Sequence, residues 1–564
     1  MNDPTEIWRK SYVHPGRWDV EFAPMTLPEM FATSVAQHAN VTFTDFLGAR
    51  LSYADIGDRA ARFGATLVAQ GLKKGDRIGL YLPNVPDYLI AYYGALQVGA
   101  IVVNMSPLYS REELAHQIAD SGACIIVTSD VPALFGTAKA LLDDGSVDRV
   151  IVGNLSGWLP WLKRWLFRRF RAHDVAAIPH GDPRIVSMAS MLAAAAAPHG
   201  VVISPADIAL IQYTGGTTGT PKGAMLTHAN LTANARQVHA LDPHPEMPDR
   251  IVGVLPFFHV FANTCVLNRT MLSGGMIAML PRFGAKDTLK TISRIEATAL
   301  PGVPTMYQAL LDHPDIGKTR FGSLRACISG GAPLAEALKD KFEAVAGAHI
   351  IEGYGLTESS GVVACNPYDG EGRSGAIGQP VPGTRVALVD REDPSKPAAE
   401  GEPGELVFAG PQVMKGYWNR PDADAEVFLT LADGTRALRT GDVARIDSDG
   451  YIHIVDRLKD MIAVGGFKVF PSQIEDVLYR HPSVKEAIVI GIPDTYHGEM
   501  PKAFVTLNEG ADVTGEALKD WLNPQLGKHE RVAAVDVRAE LPKTLVGKLS
   551  RKELVAEERA KAAA

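Results

Sequence analysis

Tyr213-Thr-Gly-Gly-Thr-Thr-Gly-Thr-Pro-Lys-Gly223 follows an apolar run, Asp207-Ile-Ala-Leu-Ile-Gln212, that reads as a buried strand. Gly215, Gly216, Gly219 and Gly223 let backbone N–H groups approach an anion closely. Thr214, Thr217, Thr218 and Thr220 add hydroxyl donors, and Lys222 adds a fixed positive charge. The stretch is not a Walker loop, because Pro221 precedes the lysine and Gly223 follows it. A Gly/Thr linker is the plain alternative. Linkers seldom place a lysine after Thr-Pro and then enter an apolar element, so a phosphate cradle at a strand end is the better reading.

On both sides of this stretch, strand and helix patterns alternate. The helix pattern 54–70 precedes the strand 76–82. The helix pattern 86–98 precedes the strand 100–104. Ser110-Arg-Glu-Glu113 has the spacing of a capping box. Strands at 124–128 and 147–152 lie before the cradle, and 251–255, 276–280, 298–301, 324–328 and 348–351 lie after it. This alternation predicts parallel α/β sheets flanked by helices. From Thr384 the character changes to antiparallel strands, with a hairpin over 443–455 turning at Asp449-Gly450. A compact α+β tail follows, and a boundary falls near Arg457-Leu-Lys-Asp460. The expected units are a large N-terminal domain over 1–456 that includes an antiparallel β subdomain, a connector at 457–460, and a small C-terminal domain over 461–564.

Composition narrows the class. The 564 residues are 46% hydrophobic and 21% charged, which suits a globular protein with ample core. The net charge of −8 argues against a nucleic-acid partner. Cys124, Cys265, Cys327 and Cys365 are widely spaced and read as buried thiols of a reducing compartment. No secretory signal or membrane-spanning stretch is evident, so a cytoplasmic location is expected. Residues 158–171 stand apart. Trp158, Trp161, Leu162, Trp165, Leu166 and Phe170 fall roughly on one helical face, Lys163, Arg164, Arg168 and Arg171 on the other, with Phe167 and Arg169 out of register. Such a segment suits peripheral contact with the inner face of a membrane. The plain alternative, aromatics docked on the protein's own core, weighs equally at this point.

Further motifs carry chemistry. Glu352-Gly-Tyr-Gly-Leu-Thr-Glu358 follows a strand. Gly353 and Gly355 let a flat ligand rest on the Tyr354 ring. Thr357 and Glu358 offer a hydroxyl and a carboxylate to phosphate and its metal. Asp442, in Thr440-Gly-Asp442, suits the vicinal hydroxyls of a ribose. Lys548, after Gly547, lies in a loop pattern that could swing it into a site on another domain, with a solvated surface lysine as the plain alternative. Gly465-Gly466 walls a channel or makes a turn. His259, in Pro256-Phe-Phe-His-Val-Phe261, and Gly330-Gly331-Ala332 end strands of the main sheet, where open-sheet ligands bind; taken alone, His259 reads as an ordinary buried histidine.

In this order the motifs resemble the adenylate-forming superfamily of acyl-CoA synthetases, peptide-synthetase adenylation domains and beetle luciferases. The resemblance runs from about residue 30 to 555 and is greatest to bacterial long-chain fatty-acid–CoA ligases. It implies that a fatty acid reacts with ATP to give acyl-AMP and pyrophosphate. Coenzyme A then displaces AMP, with Mg²⁺ as the metal. It further implies Thr214 and Glu358 as metal contacts, Tyr354 on adenine, Asp442 and Arg457 on ribose, Lys459 as hinge, and Lys548 as the lysine of the first step. Gly465-Gly466 replaces Lys548 at the site for the second, and a homodimer is common. The acyl tunnel is expected past His259, Gly302-Val-Pro-Thr305 and Gly330–Ala332. Gly215 departs from the Ser or Thr of many relatives. Met461-Ile-Ala-Val464 lacks the second lysine of luciferases, against a light-emitting role. Transfer to a carrier protein and a catalytically silent nucleotide-binding module are the competing readings.

Overall fold

The computed structural model describes all residues except 1–4, 180, 194, 196–199, 215–220, 370–371, 466, 545–547 and 564. Among the described residues, four sheets account for the strands. The cradle's own sheet has eight. Its centre is parallel, Ile208–Thr214 lying beside Ile101–Asn104, then Arg77–Leu80, Ile125–Ser129, Arg149–Gly153 and Ile185–Ser187. Past Ile208–Thr214, the strand Lys222–Thr227 turns back antiparallel, so Thr214 and Lys222 face each other across the ladder. Gly416–Tyr417 closes this edge.

The second sheet has nine strands. Its parallel centre runs Ile350–Tyr354, Ala326–Gly330, Ala299–Gly302, Arg250–Gly253, Met276–Met279. The alternation of strand and helix across both sheets is as the sequence indicates, with boundaries displaced by at most three residues. The far edge is different. A hairpin of Thr42–Phe46 and Ala49–Ser52 from early in the chain pairs in parallel with Met276–Met279. Its alternating Thr-Phe-Thr-Asp-Phe pattern was a readable strand signal, but nothing local indicated its partner.

The two sheets pack through apolar helices. Pro86–Gln97 is buried along nearly its whole length, which explains its weak amphipathic pattern. It crosses Tyr53–Ala69 where Gly94 faces Gly64, and a Cβ on Gly64 would lie 2.6 Å from the Gly94 carbonyl oxygen. Only glycine permits that approach. Asn84 fastens the carboxyl ends of the two sheets. Its amide donates to Gly253 O at 3.1 Å and Leu255 O at 2.8 Å, and its Oδ1 accepts from Phe257 N at 2.9 Å.

Two antiparallel sheets complete the chain. Arg385–Val389, Gly404–Ala409, Arg436–Ile446, Phe428–Thr430 and Ile452–Arg457 form one. Here the expected geometry is corrected. Thr440-Gly-Asp442 does not precede a strand but sits inside Arg436–Ile446, where the pairing slips register. The bulge turns Asp442 inward. The last sheet, built on Val484–Asp494 and Gly498–Leu507, has its own buried core of Ile462, Ile474, Leu478, Val489, Val505 and Leu518. The cysteines also differ from the expectation that all four are buried. Cys265, Cys327 and Cys365 are buried, but Cys124 is half-exposed at the start of its strand. Among the described residues no helix is long and apolar enough to cross a membrane.

Candidate active site

The carboxyl ends of Ala326–Gly330 and Ile350–Tyr354 deliver Gly330, Gly331, Ala332 and Glu352–Gly355 to one place. Tyr354 extends its hydroxyl to the Asp442 carboxylate, donating at 2.5 Å. Arg457, at the end of Ile452–Arg457, reaches the other Asp442 oxygen with Nε at 3.0 Å. Burial pushes the Asp442 carboxyl above its usual range, opposed by the Arg457 charge. One anchored carboxylate is thus held between a phenol and a guanidinium, beside a half-buried aromatic ring.

Lys548 enters this cluster from the small domain and lies against Gly331. Desolvation lowers its ammonium to about 8, reinforced by Arg457 and opposed by Asp442. His259 caps the helix that follows its loop, its ring accepting from Phe261 N. Burial, then the Lys548 charge, lowers its imidazole to about 3, so it is neutral. Burial raises Glu352 to about 7, opposed by Lys339. Lys459, in the short turn Leu458–Asp460, is shifted down by desolvation and Arg457.

A second cluster lies where the cradle's flanking strands meet Thr357–Ser359. Tyr417 donates its hydroxyl to Glu358 Oε1 at 2.6 Å, and Met414 N donates to the Glu358 carbonyl. Lys222 stands over the Tyr417 ring, its Nζ 3.7 Å from Glu426. Thr214 faces Lys222, its hydroxyl 3.4 Å from the Lys222 carbonyl. A cavity of about 310 Å³ is lined by Leu356, Glu358, Tyr417, Glu426, Thr440 and Gly441 among others. Among the described residues no three His, Cys, Asp or Glu side chains converge on a metal site. A cation at Glu358 would therefore draw its other ligands from the Thr214 hydroxyl, phosphate and water, and magnesium is usually held by few protein groups in this way. The residues fit that ion.

Gly215, Gly216, Thr217, Thr218, Gly219 and Gly466 lie outside the described residues. Gly465 is not brought to the cluster. It turns with φ +57° between Ile462–Val464 and Phe467–Val469, donating its N–H to His497 O within the small domain. Two residues escaped sequence reasoning. Tyr417 acts through a strand pair distant in sequence, although Gly416-Tyr-Trp418 is a readable aromatic signal. Asp120 braces the cradle strand, accepting from the Tyr213 hydroxyl at 2.7 Å and pairing with Arg420 at 3.0 Å.

The sequence profile of AMP-binding enzymes matches residues 31–418, and that of the AMP-binding enzyme C-terminal domain matches 473–548. A long-chain-fatty-acid–CoA ligase of Bacillus subtilis is 38% identical over 98% of each chain. The crystal structure of ATP-bound MatB from Rhodopseudomonas palustris superposes with TM-score 0.81 at 30% identity, over 94% of this chain and 99% of that one. The anthranilate CoA ligase AuaEII in complex with anthranoyl-AMP gives TM-score 0.81 at 25% identity, over 96% and 99%.

Proposed function

The chain belongs to the AMP-binding enzyme family, and from that premise we propose that it is an ATP-dependent fatty-acid–CoA ligase of long-chain preference. The observation that carries the reading is the Lys548 ammonium of the small domain, set against Gly331 beside Asp442 and His259 of the large one and Arg457 at its end. A carboxylate oxygen attacks the α-phosphorus of ATP, and the bond to the bridging oxygen breaks to release pyrophosphate. Both reactants are anions, so fixed positive charge on their path lowers the barrier. Lys548 supplies it beside the reacting carboxylate and Lys222 beside the departing phosphates. Tyr354 offers its face to adenine, and Asp442 accepts from the ribose hydroxyls with Arg457 beside it. Gly330–Ala332 and Glu352–Gly355 wall the nucleotide. Thr214 and Glu358 would hold Mg²⁺, which neutralises phosphate charge when bound. Thr357 adds a hydroxyl to the phosphates.

In the second half-reaction the sulfur of coenzyme A attacks the acyl carbonyl carbon and AMP leaves, the thiol proton passing to solvent. The incoming pantetheine needs the space that Lys548 fills. We assign the domain boundary to 457–460, with Lys459 as the pivot and Gly465-Gly466 facing the site after rotation. Neutral His259 lines the acyl side. A cytoplasmic location, peripheral attachment to the membrane and pairing into a homodimer belong to the same proposal. The name of the B. subtilis relative favours long acyl chains. That of the anthranilate ligase makes aryl acids the competing substrate class. The test is AMP release across saturated acids of increasing length and aromatic acids, with coenzyme A present. Preference for aryl acids would replace the long-chain assignment. Failure of every acid to support exchange of labelled pyrophosphate into ATP would end the reading altogether.

A further inference from the structure

The helix Trp161–Phe170 is turned inside out relative to an ordinary surface helix. Arg164 and Phe167 face the protein, the Arg164 guanidinium donating to the carbonyls of Gly157 and Leu159. The outward arc carries Trp161, Leu162, Trp165, Leu166 and Phe170. Trp161 is 80% exposed, Trp165 59% and Phe170 64%. Soluble surfaces rarely gather so many large apolar side chains in one patch. Arg169 lies within that arc, its guanidinium 5.5 Å from the Phe170 ring centre. Such a long side chain can lay its stem along apolar surface while its charge reaches water.

Charge selects the partner. From Leu155 to Ala172 the chain carries five lysines and arginines and no acidic residue, on a protein whose net charge is −8, and Asp174 just beyond pairs with Arg171. A second apolar protein surface would not need that bias, whereas an anionic bilayer does. Placement gives the contact a purpose. The helix follows the carboxyl end of Arg149–Gly153, and Lys163 Nζ donates to Leu47 O at 2.7 Å, at the carboxyl end of Thr42–Phe46. A cavity of about 300 Å³ at this same end of both sheets is lined by Pro83, Leu108, Val254, Phe258, Phe283 and Met306 among others.

We infer that Trp161–Phe170 is a lipid-docking helix that seats its Trp/Leu/Phe face in an anionic bilayer and turns the carboxyl-end face of both sheets toward the membrane. The inference rests on the fatty-acid reading for its purpose and on the exposed helix for its existence.

The experiment uses the full chain and vesicles of phosphatidylglycerol with phosphatidylcholine, against phosphatidylcholine alone. Wild type should cosediment with the anionic vesicles at low salt and weaken several-fold between 0.1 and 1 M salt, as screening shortens from ~10 to ~3 Å. The double variant Trp161→Ala/Trp165→Ala should bind at least tenfold more weakly. Arg169→Glu, which keeps the apolar face, should lose the preference for anionic lipid. Both variants should activate octanoate in solution like wild type, yet fall behind on palmitate carried in the vesicles. Equal vesicle binding by wild type and double variant would overturn the inference. So would a double variant that dissociates a wild-type dimer while wild type ignores lipid, since the face would then join two copies. Octanoate activation is read separately, so loss of lipid binding does not count against the proposed reaction.

Discussion

A Cβ built on Gly331 would stand 2.6 Å from Lys548 Cε and 2.9 Å from its Nζ. Gly331 itself has φ +83°, a conformation that costs other L-residues about 1–2 kcal/mol. Gly331→Ala should therefore displace the lysine while the fold survives with slightly lower stability. An error of position near 1 Å can cost on the order of 10²-fold in rate. Adenylate formation should fall by about that factor, and thioester formation from supplied acyl-AMP should not. Stopped-flow measurement of the two half-reactions separates them, and equal losses in both would contradict the contact's role.

Removing the charge outright is the stronger version. Lys548→Ala should slow adenylation by roughly 10²–10³, the scale for one lost charge partner in a transition state. The second half-reaction should again survive. Survival of full adenylation would mean that another cation does the work.

The pH dependence follows from the lowered Lys548 ammonium. Its charge is present below about 8 and is lost as pH rises through that value. Because kcat/KM reports groups of the free enzyme, adenylation kcat/KM should decline on an alkaline limb near pH 8. Bound ATP favours the charged form, so the limb in kcat should lie higher. Lys548→Arg keeps its charge throughout this range and should remove the limb, at a lower plateau. An alkaline limb unchanged in Lys548→Arg would assign it to another group.

Tyr417 should prove a positioning residue for the metal. Its hydroxyl fixes one Glu358 oxygen at 2.6 Å, and partners of ligating carboxylates typically matter by about 10–100-fold in metal affinity. Tyr417→Phe should raise the magnesium concentration needed for half-maximal rate by about tenfold, with little change in Tm. Calorimetric titration of magnesium into the enzyme with bound ATP gives the same comparison without turnover. An unchanged magnesium dependence would make Tyr417 a packing residue only.

Local signals in the chain carried far. The Ser110 capping box and the strands that carry Tyr213 and Tyr354 each depend on neighbours in sequence, and each was readable there. What escaped depends on distant pairing. Tyr417 meets Glu358 only because Gly416–Tyr417 joins the edge at Ala224 and Met225. Asp442 points inward through a register slip set by Gly404–Ala409. The aromatics of Trp161–Phe170 were equally compatible with docking inward or facing out, because periodicity defines a helical face without saying what covers it.

The early hairpin and the amino-terminal helix Thr5–Ser11 bear on how the chain is made. The Trp8 indole donates to Gly450 O, a partner 442 residues downstream, and Thr42–Phe46 cannot pair until Met276–Met279 has left the ribosome. At about 5–20 residues per second of translation, Trp8 waits roughly 20–90 s for its acceptor. The amino-terminal segment is thus unfinished business for most of biosynthesis, a long window in which a chaperone has reason to hold it.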